Sequence, residues 1–135
     1  MIVAGVMSGT SADGINVALV RVSEKRRTSA ASGGSSALEF LGHAEFAYPR
    51  AVRRKVLAAM NSASAKVADL ARLNFLLGGL YADAVLAAQK KLRLRAELVG
   101  CHGQTLYHQG TPAPFLGKKM AVTWQTGEAA VIAAR

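Results

Sequence analysis

The sequence predicts an α/β domain: a mixed sheet, with a three-strand antiparallel meander plus parallel strands, covered by helices. Three observations carry this. Stretches 2–7, 15–22 and 38–47 are apolar or alternating, positions 65–92 place apolar residues at helical spacing, and strand patterning returns at 97–101 and 120–125. At 135 residues and 51% apolar composition, the chain holds one domain with a modest core.

The elements follow in order. Residues 2–7, 15–22 and 38–47 are consecutive strands, and the tract from Thr28 to Ser36, too rich in Ser, Ala and Gly to bury much surface, is expected to be flexible, an insertion of about 25–36. Pro49 opens a short helix to about Met60, and Asn61 to Ser64 form a break with good N-cap residues. From Ala65 to about Leu92, Val67, Leu70, Leu73, Leu77, Leu80 and Ala84 recur at helical spacing, giving the long helix that covers the sheet. Gly78 and Gly79 in its middle each cost about 1 kcal/mol relative to alanine, which implies a kink or, better, another backbone in close contact. Glu97 to Cys101 reads as a buried strand, and Gly103 is expected to turn the chain at its end. His102 to Thr105 then fall beyond a strand's carboxyl end, where open α/β sheets collect ligands. Met120 to Gln125 is a further strand, and Thr126-Gly127-Glu128 caps a helix running to the terminus. The order β-β-β-α-β-β-α is that of a ribonuclease-H-like lobe.

Between the first two strands, Gly5 to Asn16 reads Gly-Val-Met-Ser-Gly-Thr-Ser-Ala-Asp-Gly-Ile-Asn. Gly9 and Gly14 can supply the positive φ of a sharp turn. Ser8, Thr10 and Ser11 offer hydroxyl donors to phosphate oxygens beside exposed N–H groups, and Asp13 offers a carboxylate to hydrated Mg²⁺. The segment has no lysine and does not follow the P-loop or dinucleotide spacings. On composition alone, such clusters between strands are usually ordinary turns.

Three motifs carry a resemblance. Val6 to Ile15 (Val-Met-Ser-Gly-Thr-Ser-Ala-Asp-Gly-Ile), Leu98 to His108 (Leu-Val-Gly-Cys-His-Gly-Gln-Thr-Leu-Tyr-His) and Thr123 to Glu128 (Thr-Trp-Gln-Thr-Gly-Glu), followed by Ala129 to Arg135, are similar to successive signatures of the anhydro-N-acetylmuramic acid kinases. The resemblance covers nearly the whole chain. It implies the sugar kinase and actin superfamily, with ATP and Mg²⁺ used to open the 1,6-anhydro ring of anhydro-N-acetylmuramic acid and phosphorylate O6. The product, N-acetylmuramic acid 6-phosphate, belongs to peptidoglycan recycling in the cytoplasm. The partner implied is that small-molecule substrate, and a homodimer of the full-length protein is compatible with the family.

By the same resemblance, Gly9, Thr10, Ser11, Ala12, Asp13, Gly14, Ile15 and Asn16 form the ATP phosphate loop, with Asp13 toward Mg²⁺ through water. His102, Gln104 and Thr105 lie near the sugar. Asn16 stands where the family commonly has aspartate, which removes a carboxylate and is expected to tune binding. Family members continue beyond the point matching Arg135 into a segment with the catalytic aspartate that activates water, then a second phosphate motif and an adenosine motif. No catalytic residue is therefore expected within residues 1–135, and the chain alone is expected to be inactive.

The net charge of +9, from 17 basic and 8 acidic residues, raises nucleic acid as a partner. The charges are dispersed over Lys25 to Arg27, Arg50 to Lys55 and Lys90 to Arg95, without interleaved aromatics, which argues against it. Cys101 is the single cysteine, so an intrachain disulfide is excluded and a reducing compartment fits. Its neighbour His102 is expected to point to the opposite face, and His43, His102 and His108 lack metal-site spacing. No apolar run long enough for a membrane span and no secretory signal is apparent, so no membrane is expected. Two alternatives stand beside the kinase lobe: a non-catalytic nucleotide- or sugar-binding remnant, and a basic polyanion-binding module using Arg53, Arg54, Lys90 and Lys91.

Overall fold

The computed structural model describes residues 1–24 and 36–135. The Ser/Ala/Gly-rich tract therefore lies outside the described residues, apart from Ser36. The elements run β1 (Ile2–Ser8), β2 (Gly14–Glu24), β3 (Ser36–Ala47), α1 (Arg50–Ala59), α2 (Val67–Leu92), β4 (Leu98–Phe115), β5 (Lys118–Thr126) and α3 (Ala129–Ala133).

The fold is α/β with one mixed five-stranded sheet in the order β3-β2-β1-β4-β5. β1, β2 and β3 form the expected antiparallel meander, β1 and β4 pair in parallel, and β5 returns antiparallel to β4. Alternation along the strands sends Ala4 and Val6 of β1 and Val17 and Leu19 of β2 to the helical side. Val56 of α1 and Leu73, Leu77 and Tyr81 of α2 meet them there. Met7, Phe40 and Leu98, pointing to the other face, are exposed.

α2 runs unbroken through Gly78 and Gly79. A Cβ at Gly78 would sit 2.7 Å from the Glu128 carbonyl oxygen, so close backbone approach explains that glycine, whereas one at Gly79 would meet nothing within 4 Å. α2 begins on Lys66 without a side-chain cap, contrary to the cap expected from Asn61 to Ser64. Ser62 spends its hydroxyl on the carbonyl of Ser64 within the connection itself. α2 is also long and apolar enough to cross a membrane by length and composition, a property missed in the sequence because scattered polar residues break its apolar runs. Here Leu73, Leu77, Tyr81, Val85 and Ala88 on it are buried in the core.

β4 differs most from expectation. The chain does not turn at Gly103 but continues as strand to Phe115, and Leu116-Gly117, both at positive φ, make the two-residue turn into β5. Gly103 is instead a bulge, with φ +76°, where the register against β1 shifts from Val6↔Cys101 to Ser8↔Gln104.

Candidate functional site

Residues 9–13 link β1 to β2 at the end of the parallel β1/β4 pair. The Ala12 N–H donates to the Gly9 carbonyl at 3.0 Å, and the Tyr48 N–H donates to the Asp13 carbonyl at 3.1 Å, which ties the loop to the end of β3. Neither Gly9 nor Gly14 adopts the positive φ expected of them; Ala12 does, at 51°, with its methyl fully buried. Gly14 is required for another reason, since a Cβ there would lie 2.3 Å from the Phe46 carbonyl oxygen. Gly9, Thr10, Ser11 and Asp13 are exposed. Among the described residues, the N–H groups of Thr10, Ser11 and Asp13 meet no acceptor. Exposed residues with N–H donors that meet no acceptor among the described residues, together with two hydroxyls, suit an anion.

Behind the loop lies a buried polar chain. Ser8 Oγ donates to Gln104 Oε1 at 2.6 Å and lies 3.0 Å from the Gly14 carbonyl oxygen, so it faces inward rather than toward a ligand. Gln104, fully buried, donates from Nε2 to the Gly9 carbonyl at 3.2 Å. Gln104 pairs with Thr126 across β4 and β5, and a Cβ at Gly103 would come within 2.7 Å of the Thr126 carbonyl oxygen. Asn74 Oδ1 then accepts from Thr126 Oγ1 and the Gly127 N–H, both at 2.7 Å, while its Nδ2 donates to Glu128 Oε2 at 2.9 Å. Glu128 caps α3 as expected, accepting from the Ala130 N–H. The three sequence motifs are thus one hydrogen-bonded unit. This arrangement of loop, bulge and capped helix raises the question of kinship.

A family model for anhydro-N-acetylmuramic acid kinase matches residues 1–135. The chain belongs to the anhydro-N-acetylmuramic acid kinase family. It is 39% identical over 137 residues to the anhydro-N-acetylmuramic acid kinase of Caldanaerobacter subterraneus subsp. tengcongensis, an alignment covering 99% of this chain and 33% of the relative. It is 38% identical over 136 residues to that of Bacillus cereus strain Q1, covering 98% of this chain and 33% of the relative. The chain spans about a third of the length of the curated relatives it matches.

Within this family member the expected phosphate-loop residues divide by accessibility. Gly9, Thr10, Ser11 and Asp13 face solvent; Ala12 and Ile15 bury their side chains, leaving only their backbones to a ligand. Asn16 lies on β2, its Oδ1 3.0 Å from His43 Nε2, so the amide has a partner on β3. His102 is exposed on β4 with Nδ1 3.1 Å from the Gly103 carbonyl oxygen, and Thr105 is half-buried opposite Gln125. Of the three residues expected near the sugar, His102 and Thr105 retain accessible side chains, whereas the Gln104 amide is occupied by the loop.

Sequence reasoning missed Arg53 and Asn74 as parts of the site. Arg53 Nη2 reaches Asp13 Oδ1 at 3.0 Å and the Ser11 carbonyl at 3.4 Å. Pro49 as a helix opener was the available signal, because it places Arg53 one turn in. Asn74 sits beside Leu73 on a helix otherwise read only for its apolar stripe. The loop also rests near two tyrosines whose hydroxyls lie 3.1 Å apart, Tyr48 and Tyr81. Burial pushes both phenols above their usual range, most strongly Tyr81. Burial likewise raises the Cys101 thiol, keeping it protonated and a poor nucleophile. Among the described residues no three His, Cys, Asp or Glu side chains cluster as a metal site. A lone exposed carboxylate such as Asp13 suits an ion that keeps most of its waters better than one that needs several protein ligands.

Proposed function

We propose that residues 1–135 form the phosphate-gripping lobe of an ATP-dependent kinase that opens the 1,6-anhydro ring of anhydro-N-acetylmuramic acid and phosphorylates O6 in cytoplasmic peptidoglycan recycling. The observation that carries the reading is the exposed loop, with two hydroxyls and three N–H groups that meet no acceptor among the described residues, braced from behind by Gln104 of the second motif. Strand order β3-β2-β1-β4-β5 supports a ribonuclease-H-like lobe, in which β1 and its turn present a ligand at the end of the parallel pair.

Bound Mg·ATP would supply the phosphoryl group. The residues of this chain would hold and orient it: Gly9, Thr10 and Ser11 would donate to phosphate oxygens, and Asp13 would accept from metal-bound water. His102 and Thr105 would hydrogen-bond sugar hydroxyls, and Gln104 serves the loop. The one carboxylate of the loop, Asp13, is committed to Arg53 or to the cation and not to an attacking water, so the 135-residue chain alone is expected to be inactive.

The test is titration of Mg·ATP against the wild type and Asp13→Ala at two salt concentrations. Saturable binding weakened in the variant supports the reading. Binding that falls equally in both proteins as salt rises supports polyanion attraction instead. Turnover of the anhydro-sugar by the isolated chain would overturn the expectation of inactivity.

A further inference from the structure

We propose that Arg53 is a phosphate-binding residue of the loop, held on Asp13 until a polyphosphate anion takes its guanidinium. The inference rests on the reading of the loop as a phosphate grip and adds a residue that the motif itself does not contain.

Four observations converge. Arg53 Nη2 spans the mouth of the loop, 3.0 Å from Asp13 Oδ1 and 3.4 Å from the Ser11 carbonyl oxygen. The pair is open to solvent, with side-chain exposures of 46% for Arg53 and 70% for Asp13, so it is weak and readily exchanged. The nearby N–H groups of Thr10, Ser11 and Asp13 lack acceptors among the described residues, so the mouth is rich in donors. Finally, α1 carries Arg50, Arg53 and Arg54 near its N-terminal end with no acidic residue in its first turn, against the macrodipole. An anion at the loop relieves that repulsion.

The geometry defines a ligand class. A planar guanidinium beside N–H groups that meet no acceptor among the described residues matches two oxygens of a di- or triphosphate, which a single carboxylate does not saturate. As the anion enters, Arg53 leaves Asp13, and the freed carboxylate becomes available to a hydrated cation accompanying the phosphates. The loop would therefore exchange an internal ion pair for two external ones.

Inorganic tripolyphosphate without metal is the probe, because it engages the loop without needing a nucleoside pocket. Amide NMR shifts of Gly9, Thr10, Ser11 and Asp13 report binding to the 135-residue chain. Arg53→Ala is expected to weaken binding about tenfold. Arg53→Lys, which keeps the charge but loses the fork, is expected to fall between it and the wild type. Asp13→Asn is expected to tighten binding, since it releases Arg53 and removes a negative charge. Arg54→Ala, the matched loss of charge one residue on, is expected to change affinity less than about twofold. Equal losses in the Arg53→Ala and Arg54→Ala proteins, or weaker binding by Asp13→Asn, would overturn the role of Arg53 while leaving the phosphate loop standing. A wild type whose loop amides do not shift saturably would overturn both.

Discussion

The two adjacent glycines of α2 give the sharpest test of the packing, because alanine at each should act in opposite directions. Alanine is favoured over glycine in a helix interior by about 1 kcal/mol. At Gly79 a Cβ meets nothing within 4 Å, so Gly79→Ala should stabilise by about 0.5–1 kcal/mol. At Gly78 the Cβ would stand 2.7 Å from the Glu128 carbonyl oxygen and 3.0 Å from its nitrogen, both backbone atoms that cannot rotate away. Relief requires the start of α3 to move off α2, stretching the 3.0 Å bond from the Glu128 N–H to the Asn74 carbonyl. Overpacking of about 1–3 kcal/mol plus about 1 kcal/mol for that bond, less the helical gain, leaves Gly78→Ala destabilised by about 1–3 kcal/mol. The gap between the variants is then about 1.5–4 kcal/mol, or roughly 5–14 °C in Tm for a chain of this size. Urea unfolding followed by far-UV circular dichroism, with thermal melts alongside, measures both. A Gly78→Ala protein as stable as the wild type would refute the argument that α3 is clamped to α2 by backbone contact.

Two further outcomes follow from buried polar groups. Gln104→Leu should cost about 2–4 kcal/mol and speed amide exchange at Ala12 and Gly14, because the Ser8 hydroxyl and the Gly9 carbonyl lose their buried partner; exchange unchanged in the loop would count against the brace. Tyr48 and Tyr81 have phenol pKa values raised by burial, so the folded state holds their protons more tightly than the unfolded chain. Their contribution is complete below the unfolded tyrosine value and is lost as pH climbs past it. Stability should therefore fall above about pH 10, with phenolate absorbance at 295 nm rising together with unfolding; ionisation of both phenols in a still-folded protein would contradict their burial.

Much of the fold was legible because its signals are local. The β-branched alternation of β2 and β3, the opener Pro49 of α1 and the apolar spacing of α2 each act within a few residues, and all four elements appear where expected. β4 was misread because Gly103 carries the positive φ that ordinarily marks a turn, and only the close pass of the Thr126 backbone reveals that it serves a bulge. The positive φ at Ala12 was hidden for the complementary reason: two glycines flank it, and nothing in the residues says that the strain falls on alanine. Of the site, the outward half of the loop was readable from residue chemistry. The inward role of Gln104 was not, since a glutamine in a polar motif looks the same whether it serves a ligand or a carbonyl 95 residues away. Arg53 and Asn74 come from helices that periodicity describes only by their apolar faces.

The bond from Ser8 to Gln104 spans 96 residues of chain, and that separation sets a schedule. During synthesis β1 can pair with β2, and β2 with β3, as soon as they emerge, but the other edge of β1 must wait for β4. At the usual rate of about 5–20 residues per second, roughly 5–20 seconds pass between the two partners leaving the ribosome. For that interval the nascent loop has its hairpin shape without its rear support, and the parallel edge of β1 stays unpaired. The loop thus matures late although it is made first, and the step that completes it is the slow, long-range closure of the β1/β4 pair.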